Sequence, residues 1–142
     1  MAYTTIKKPS DYFNTKLYTG NSGNGDNPVA VGFQPDLTWL KRRNGVGSHR
    51  LFDVVRGATK EIFSDATNAE STDAQSLKSF DSDGFTLGTG GATNGSGNTY
   101  ASWNWLANGA GSANTDGSIS STVSANTTSG FSIVSYTGTG SN

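Results

Sequence analysis

The sequence predicts an all-β protein, a single antiparallel β-sandwich preceded by a short extended arm. Apolar and polar residues alternate over several short stretches, and Gly, Asn, Asp and Pro separate these stretches. No window repeats its apolar residues at helical spacing. Because such strands have one apolar side, two sheets must pack face to face to bury those sides.

The composition predicts a small core that depends on aromatic residues. The chain has 142 residues, the usual size of one domain. Leu, Ile, Val and Phe together number only 25, whereas Gly, Ser, Thr and Asn number 69. Disordered chains usually combine high net charge with few aromatic residues, but this chain has a net charge of −1 and 15 aromatic residues. We therefore expect a folded domain with Phe, Tyr and Trp in its interior.

Charge and apolar patterning argue against two classes of partner. The 10 Lys and Arg residues are balanced by 11 Asp and Glu residues, which does not favour binding to nucleic acid. No apolar run approaches the ~18 residues of a membrane helix, and residues 1–10 lack the apolar centre of a secretion signal. With no Cys, the chain has neither disulfides nor thiolate metal sites.

Residues 1–9 are predicted to be an arm and residues 10–142 the sandwich domain. Pro9 separates the β-prone segment from the body. The segment has two interpretations: a frayed terminus, or an assembly arm that adds a strand to a neighbouring subunit. The residues that would pair in the second case are Tyr3, Thr4, Thr5 and Ile6.

Within the body, the strongest predicted strand is Thr99–Leu106. Its alternation places Trp103 and Trp105 on one face, with Tyr100 on the other. The polar stretch at 65–79 is predicted to be mostly a long connection. The other predicted extended segments are Tyr12–Tyr18, Val29–Phe33, Leu37–Arg42, Arg50–Val55, Lys60–Ser64, Gly84–Gly88, Ser118–Ser124 and Phe131–Tyr136.

The first and last of these strands share a pattern. Phe13 and Tyr18 lie five residues apart and precede Thr-Gly, and so do Phe131 and Tyr136. Either two strands share common β-residues, or the module occurs elsewhere in tandem.

Four blocks of sequence give the chain a family resemblance. They are GFQPDLTWLK at 32–41, HRLFDVVRGATK at 49–60, SFDSDGFTLG at 79–88 and YASWNW at 100–105. In this order they resemble an uncharacterised domain that recurs, often in tandem, in virion and tail-fibre-like proteins of aquatic bacteriophages. The resemblance covers roughly residues 10–140. It implies a lectin-like, concanavalin-type jelly roll with a structural or attachment role, and it brings no catalytic residues.

The tryptophans are the residues that a carbohydrate platform would use, by stacking on sugar rings. These are Trp39, Trp103 and Trp105. If their face points inward they are core, and if it points outward they form a platform. In a chain poor in aliphatic residues, core is the favoured interpretation.

Other patterns carry weaker signals. Asp81 and Asp83 resemble half of a calcium-binding EF-hand loop, but the later ligands are missing and Asp-x-Asp-Gly is also a turn sequence. No other cofactor is expected. Asn94 and Asn126 match the N-glycosylation pattern and are candidate acceptors if the chain is made in a glycosylating host.

The remaining charged residues favour structural roles. His49 is the only histidine, and no nucleophile-elbow pattern accompanies it, so we expect a structural residue at a strand start. Arg56 is expected to pair with an aspartate such as Asp36 or Asp53 and to fix a loop.

These patterns favour a non-enzymatic, extracellular or virion-associated protein. The first hypothesis is a self-assembling subunit of a fibre, filament or virion surface whose partners are copies of itself. The alternative is a carbohydrate-binding attachment module whose partners are surface glycans. A hydrolase would need two well-placed carboxylates, and Glu occurs only at positions 61 and 70.

Overall fold

The computed structural model describes residues 5–22 and 24–140, and β-strands dominate these residues. All pairs of neighbouring strands are antiparallel. A 3₁₀ turn, Pro9–Asp11, precedes the first strand, and a four-residue helix, α1, spans Gly91–Asn94. The strands are β1 Phe13–Thr19, β2 Asn27–Ala30, β3 Leu37–Arg42, β4 Arg50–Asp53, β5 Lys60–Phe63, β6 Ser71–Thr72, β7 Leu77–Asp81, β8 Gly84–Leu87, β9 Thr99–Trp105, β10 Ser112–Asn114, β11 Ser121–Asn126 and β12 Phe131–Tyr136.

The strands form three sheets. The large sheet has the order β1-β9-β3-β4-β5-β6, the second sheet has the order β2-β8-β7, and the third sheet has the order β10-β11-β12. Strand β9 lies between β1 and β3, so that Thr15, Trp103 and Trp39 follow one another across three strands. Paired residues point to the same side of a sheet, and this register therefore fixes which side chains share a face.

The core lies between the large sheet and the second sheet. It is a single cluster in which buried side chains from both sheets meet. Its buried members are Val29, Val31, Leu40, Phe52, Leu77, Phe85 and Leu87, and Tyr18, Phe33, Ala58 and Phe80 pack against them. Together these residues include five Phe or Tyr side chains, which confirms that aromatic residues compensate for the low aliphatic content.

Buried polar side chains complete the inner face of the large sheet. The Thr38 hydroxyl donates to Asn104 Oδ1 at 3.0 Å. Asn104 Nδ2 donates to the Asn14 carbonyl at 3.0 Å, and Asn14 Nδ2 donates to the Val31 carbonyl at 2.7 Å. These bonds link β3, β9 and β1 and reach the segment that follows β2. Because the buried groups are paired, they hold the layers together without the cost of unsatisfied polar atoms.

Two stacked tyrosines join the large sheet to the loop that carries α1. The rings of Tyr18 and Tyr100 lie 5.0 Å apart and are nearly parallel. The Tyr18 hydroxyl donates to the Thr93 carbonyl at 2.8 Å, and the Tyr100 hydroxyl accepts from the Gly95 amide at 2.9 Å. Burial raises the pKa of the Tyr18 hydroxyl above its ordinary value, and the neighbouring Tyr100 adds to the rise.

Most predicted extended segments are confirmed, but several predictions of their extent are wrong, and β10 lies where no extended segment was predicted. The predicted connection at 65–79 contains β6 and the start of β7. Strand β7 forms there because Leu77, an isolated apolar residue in a polar stretch, is buried opposite Leu87. Strand β2 ends at Ala30, before the predicted Phe33, because the Val31 and Gly32 amides turn to the Asp83 carbonyl. Gly32 has a φ of +103°, which ends the extended conformation.

We expect the stability of the domain to fall above about pH 10 through Tyr18. The unfolded tyrosine ionises near pH 10 whereas the folded one stays protonated, so the contribution is intact below that pH and is lost above it. The slope from this group approaches about 1.4 kcal/mol per pH unit. The free energy of unfolding, measured with urea between pH 9 and 11, should decline less steeply with pH for Tyr18→Phe than for the wild type. Tyr136→Phe, at a residue that is 66% exposed, should decline as the wild type does; equal slopes in all three proteins would refute the assignment.

Candidate functional site

The side of the large sheet opposite the core carries a cluster of aromatic side chains. We call this side the outer face; its central residues are Thr15, Trp103, Trp39 and Leu51, which follow one another in register across β1, β9, β3 and β4. The rings of Trp39 and Trp103 are 5.7 Å apart. Both side chains are half-buried and lie outside the core cluster.

His49 fixes the orientation of Trp39. The residue lies immediately before β4, and its Nδ1 accepts a hydrogen bond from Trp39 Nε1 at 3.0 Å. The two rings are 5.5 Å apart in an edge arrangement. This confirms the prediction of a structural histidine at a strand start. The indole of Trp39 is therefore held in place at the surface, as a recognition surface requires.

The third sheet covers the other end of the outer face. Phe131, at the start of β12, stacks on Trp105 with ring centres 6.0 Å apart. Phe13 of β1 packs against the same indole at 4.9 Å. The structure thus brings Trp39 and Trp103 together and places Trp105 under a neighbouring strand. The expectation that the three tryptophans are core residues is wrong, because the face they share points away from the core cluster.

Strand β1 forms an open edge of the large sheet. It pairs with β9 on one side and, within the described part of the chain, with no strand on the other. Its outward-facing residues Phe13 and Leu17 are 39% and 62% exposed. An unpaired edge strand of seven residues with two exposed apolar side chains is a ready template for another strand.

Strand β12 forms a second open edge, in the third sheet. It pairs with β11 alone among the strands that the structure describes. Val134 and Tyr136 are 50% and 66% exposed. The two open edges are the two strands that share the Phe-Tyr-Thr-Gly pattern.

The match to known families covers nearly the whole chain. Residues 8–142 match the family described as "Domain of unknown function (DUF7483)". The chain belongs to the DUF7483 family. No curated protein and no solved structure matches it. In this DUF7483 domain, the described residues contain no helix with the length and apolar character needed to span a membrane.

The aspartates with EF-hand-like spacing form a turn in the DUF7483 domain. Asp81 pairs with Gly84 at the end of the β7–β8 hairpin, as the turn interpretation expects. Asp81 Oδ2 accepts from the Thr86 hydroxyl at 2.7 Å, and the Asp83 carbonyl accepts from two amides after β2. No group of three or more His, Cys, Asp or Glu that could hold a metal occurs in the described residues.

Arg56 is held within the domain, as expected. Its Nε contacts Asp53 Oδ2 at 2.6 Å, and its NH1 contacts Glu70 at 3.1 Å. Of the two aspartates suggested by the sequence, Asp53 is the partner. Asp36 instead accepts hydrogen bonds from the backbone amides of Ala107 and Gly109 and so fixes the segment that follows β9.

The two glycosylation candidates differ in their environment. Asn94 is fully buried, and both atoms of its side-chain amide form hydrogen bonds. Its Oδ1 accepts from Asn21 N and Asn27 Nδ2. Its Nδ2 donates to Asn21 Oδ1 and to the Gly88 carbonyl. A glycan on Nδ2 would destroy this arrangement, so the prediction for Asn94 is wrong for the folded domain. Asn126 is half-buried at the end of β11, and for this residue glycosylation stays a prediction.

The predicted assembly arm is only partly described. Tyr3 and Thr4 lie outside the described residues. Thr5 is exposed and Ile6 half-buried, and neither belongs to a strand. Ile6 lines a pocket with Phe13, Trp105 and Phe131 of its own domain. Strand addition by the arm stays a prediction.

We expect Asn94→Ala to destabilise the DUF7483 domain by about 2–4 kcal/mol, because it leaves several buried polar groups without partners. Asn68→Ala, at an exposed position, should change the free energy of unfolding by less than about 0.5 kcal/mol. Urea unfolding of the two variants measures the difference. Equal stabilities would contradict the role given to Asn94.

Proposed function

We propose that this DUF7483 domain is a structural subunit of an extracellular or phage-related fibre, filament or virion surface, which assembles with copies of itself by strand addition at its sheet edges. The observation that carries the proposal is the pair of open edges, β1 and β12, each with exposed apolar side chains. A subunit needs two separate contact surfaces to extend a linear assembly. The two edges belong to different sheets.

The two edges differ from the other margins of the sheets. Strand β6 has two residues, β10 has three, β2 contains Pro28, and β7 has an irregularity in its pairing between Leu77 and Ser79. Short strands, proline and bulges are the features by which proteins protect edges from pairing. In β1 and β12 these features are absent from the described residues, which favours a partner for these two strands.

Lys16 argues that pairing at β1 is selective. It lies on the inner-face side of the strand, next to Asn14 and Tyr18 in the alternation, and is half-buried. An inward-pointing charge on an edge strand discourages chance pairing with other strands. A specific partner must place a polar residue opposite Lys16, so the edge selects the strand it accepts.

For the fold, we propose a concanavalin-type jelly-roll sandwich formed by the large and second sheets. The apolar cluster that the two sheets share supports this arrangement, and the resemblance to phage fibre domains implies the same fold. The third sheet then lies against the outer face at the end near Trp105. Virion or extracellular localisation belongs to the same proposal.

A carbohydrate-binding attachment module is the second candidate, and the Trp39–Trp103 pair favours it. Two tilted indoles at the surface, one of them fixed by His49, offer adjacent apolar surfaces for sugar rings. Lys41 follows Trp39 by two residues in β3 and therefore shares the outer face. Its Nζ donates to the Gly47 carbonyl at 2.7 Å. Trp105, which is covered by Phe131, does not belong to this platform.

We expect Leu17→Lys to weaken self-association about 10- to 100-fold. A buried Leu contact contributes about 1.5–3 kcal/mol, and each 1.4 kcal/mol corresponds to a factor of ten in affinity. Sedimentation velocity over a concentration series, with electron microscopy of the largest species, measures the change. The matched control is Val46→Lys, which introduces the same charge at a 98% exposed position in the β3–β4 turn.

Two outcomes would oppose assembly as the function. A wild-type chain that stays monomeric at all concentrations would overturn it, as would equal loss of association in both lysine variants. Deletion of residues 1–8 tests the arm separately. If particles of unchanged length still form, the arm does not contribute to assembly and the edges alone are responsible.

For the second candidate, we expect saturable binding on a glycan array that Trp103→Ala abolishes. The variant removes one of the two tilted indoles from the outer face. The control is Phe63→Ala, which removes an aromatic ring that lies near Arg50 instead of near the tryptophans. An array on which the wild type binds nothing, with or without calcium, would reject the carbohydrate function.

A further inference from the structure

The pairing of β1 with β9 determines which backbone amides and carbonyls of β1 point away from β9, toward the open edge of the sheet. The Leu106 amide donates to the Tyr12 carbonyl at 2.9 Å, and the Gly20 amide donates to the Asn98 carbonyl at 2.8 Å. In an antiparallel pair, hydrogen-bonded and non-hydrogen-bonded positions alternate. The even-numbered residues of β1 therefore bond to β9. The amides and carbonyls of Phe13, Thr15 and Leu17 point away from it.

These outward groups restrict how a second copy can pair with the edge. In a two-fold antiparallel arrangement, odd-numbered residues of one copy must face odd-numbered residues of the other. Such an arrangement is centred on a single residue of β1, and the centre decides every opposing pair. Three centres place most of the strand in contact: Thr15, Lys16 and Leu17.

The side chains distinguish among the three centres. A centre at Lys16 places this residue opposite Lys16 of the partner subunit, and directly opposed like charges destabilise a sheet. A centre at Leu17 places Phe13 opposite the partner's Asn21, which lies beyond the end of β1. A centre at Leu17 pairs Leu17 with Leu17 of the partner subunit but leaves Phe13 without an apolar residue opposite it. A centre at Lys16 places Phe13 opposite the partner's Thr19, so neither arrangement covers both exposed apolar side chains.

A centre at Thr15 avoids opposed like charges and also covers both exposed apolar side chains. It places Phe13 opposite Leu17 of the partner subunit, and by symmetry this apolar contact occurs twice. Lys16 then faces the partner's Asn14, a polar and uncharged residue. Phe13 and Leu17, 39% and 62% exposed in one copy, cover each other across the interface.

We infer that two copies join at β1 by antiparallel pairing about a two-fold axis at Thr15, which makes the large sheets of the two copies one continuous sheet. This inference rests on the proposed function and specifies one of its two interfaces. The partner is a second copy of the chain. The outer faces of both copies then lie on the same side of the joined sheet.

A scan with single cysteines tests the register, because the chain contains no native Cys. In the proposed register, Thr15→Cys brings two cysteines to a Cα separation of about 5.5 Å, which a disulfide can span. Thr15→Cys should form a covalent dimer on a non-reducing gel after mild oxidation. Phe13→Cys and Leu17→Cys should each stay monomeric alone and form a heterodimer when mixed.

The controls separate this inference from the proposed function. Lys16→Cys or Leu17→Cys that dimerises alone, while Thr15→Cys does not, would overturn the register and leave assembly through β1 intact. Particles that form without any crosslink in the scan would overturn pairing at β1 and leave the proposed function standing. If neither particles nor crosslinks form, both proposals fail. Circular dichroism of each variant confirms that the fold is retained, and crosslinking under denaturing conditions gives the background.

Discussion

The structure depends on the pairing of β9 with β1 on one side and with β3 on the other. This strand has a different role on each face. Its inner-face residues Ser102 and Asn104 are buried and hydrogen-bonded, whereas Trp103 and Trp105 form much of the outer face. Because both neighbours of β9 are long strands, its side chains are held in fixed positions on both sides of the sheet. The core and the candidate binding surface therefore share one scaffold.

A chain with few aliphatic residues has to fill its interior in another way. This domain uses aromatic rings together with polar side chains whose hydrogen bonds are satisfied, such as Thr38, Asn94 and Asn104. A satisfied polar network specifies a single arrangement more strictly than an apolar core of the same size, since each partner must be in place. Ser129 Oγ is the one buried polar side-chain atom without a partner among the described residues. Hydrogen bonds of such buried polar side chains also hold the loops around α1 and after β9 against the sheets.

Alternation in the sequence predicts the local structure well, and it predicts nonlocal arrangement poorly. It identifies β1, β3 and β9 and shows that Trp103 and Trp105 share a face, because these properties depend on near neighbours. It does not show that this face points outward, since both faces of the large sheet carry apolar residues. The burial of Asn94 depends on contacts with Asn21 and Gly88, which lie outside the tripeptide 94–96. The glycosylation pattern therefore contains no information about this burial. Edge positions also escape prediction, because an edge is defined by the absence of a neighbour.

The proposed assembly and the proposed glycan binding would use different parts of the same sheet and would not exclude each other. Strand addition at β1 uses backbone groups at the margin, whereas a sugar would contact the indoles of Trp39 and Trp103 farther inward. When two antiparallel strands join two sheets, opposing side chains point to the same side. The indole pairs of two joined copies would then face the same target, and linked sites gain avidity from their high effective concentration. In the proposed arrangement a weak sugar site on each copy would suffice for attachment, because the assembly would supply the remaining affinity.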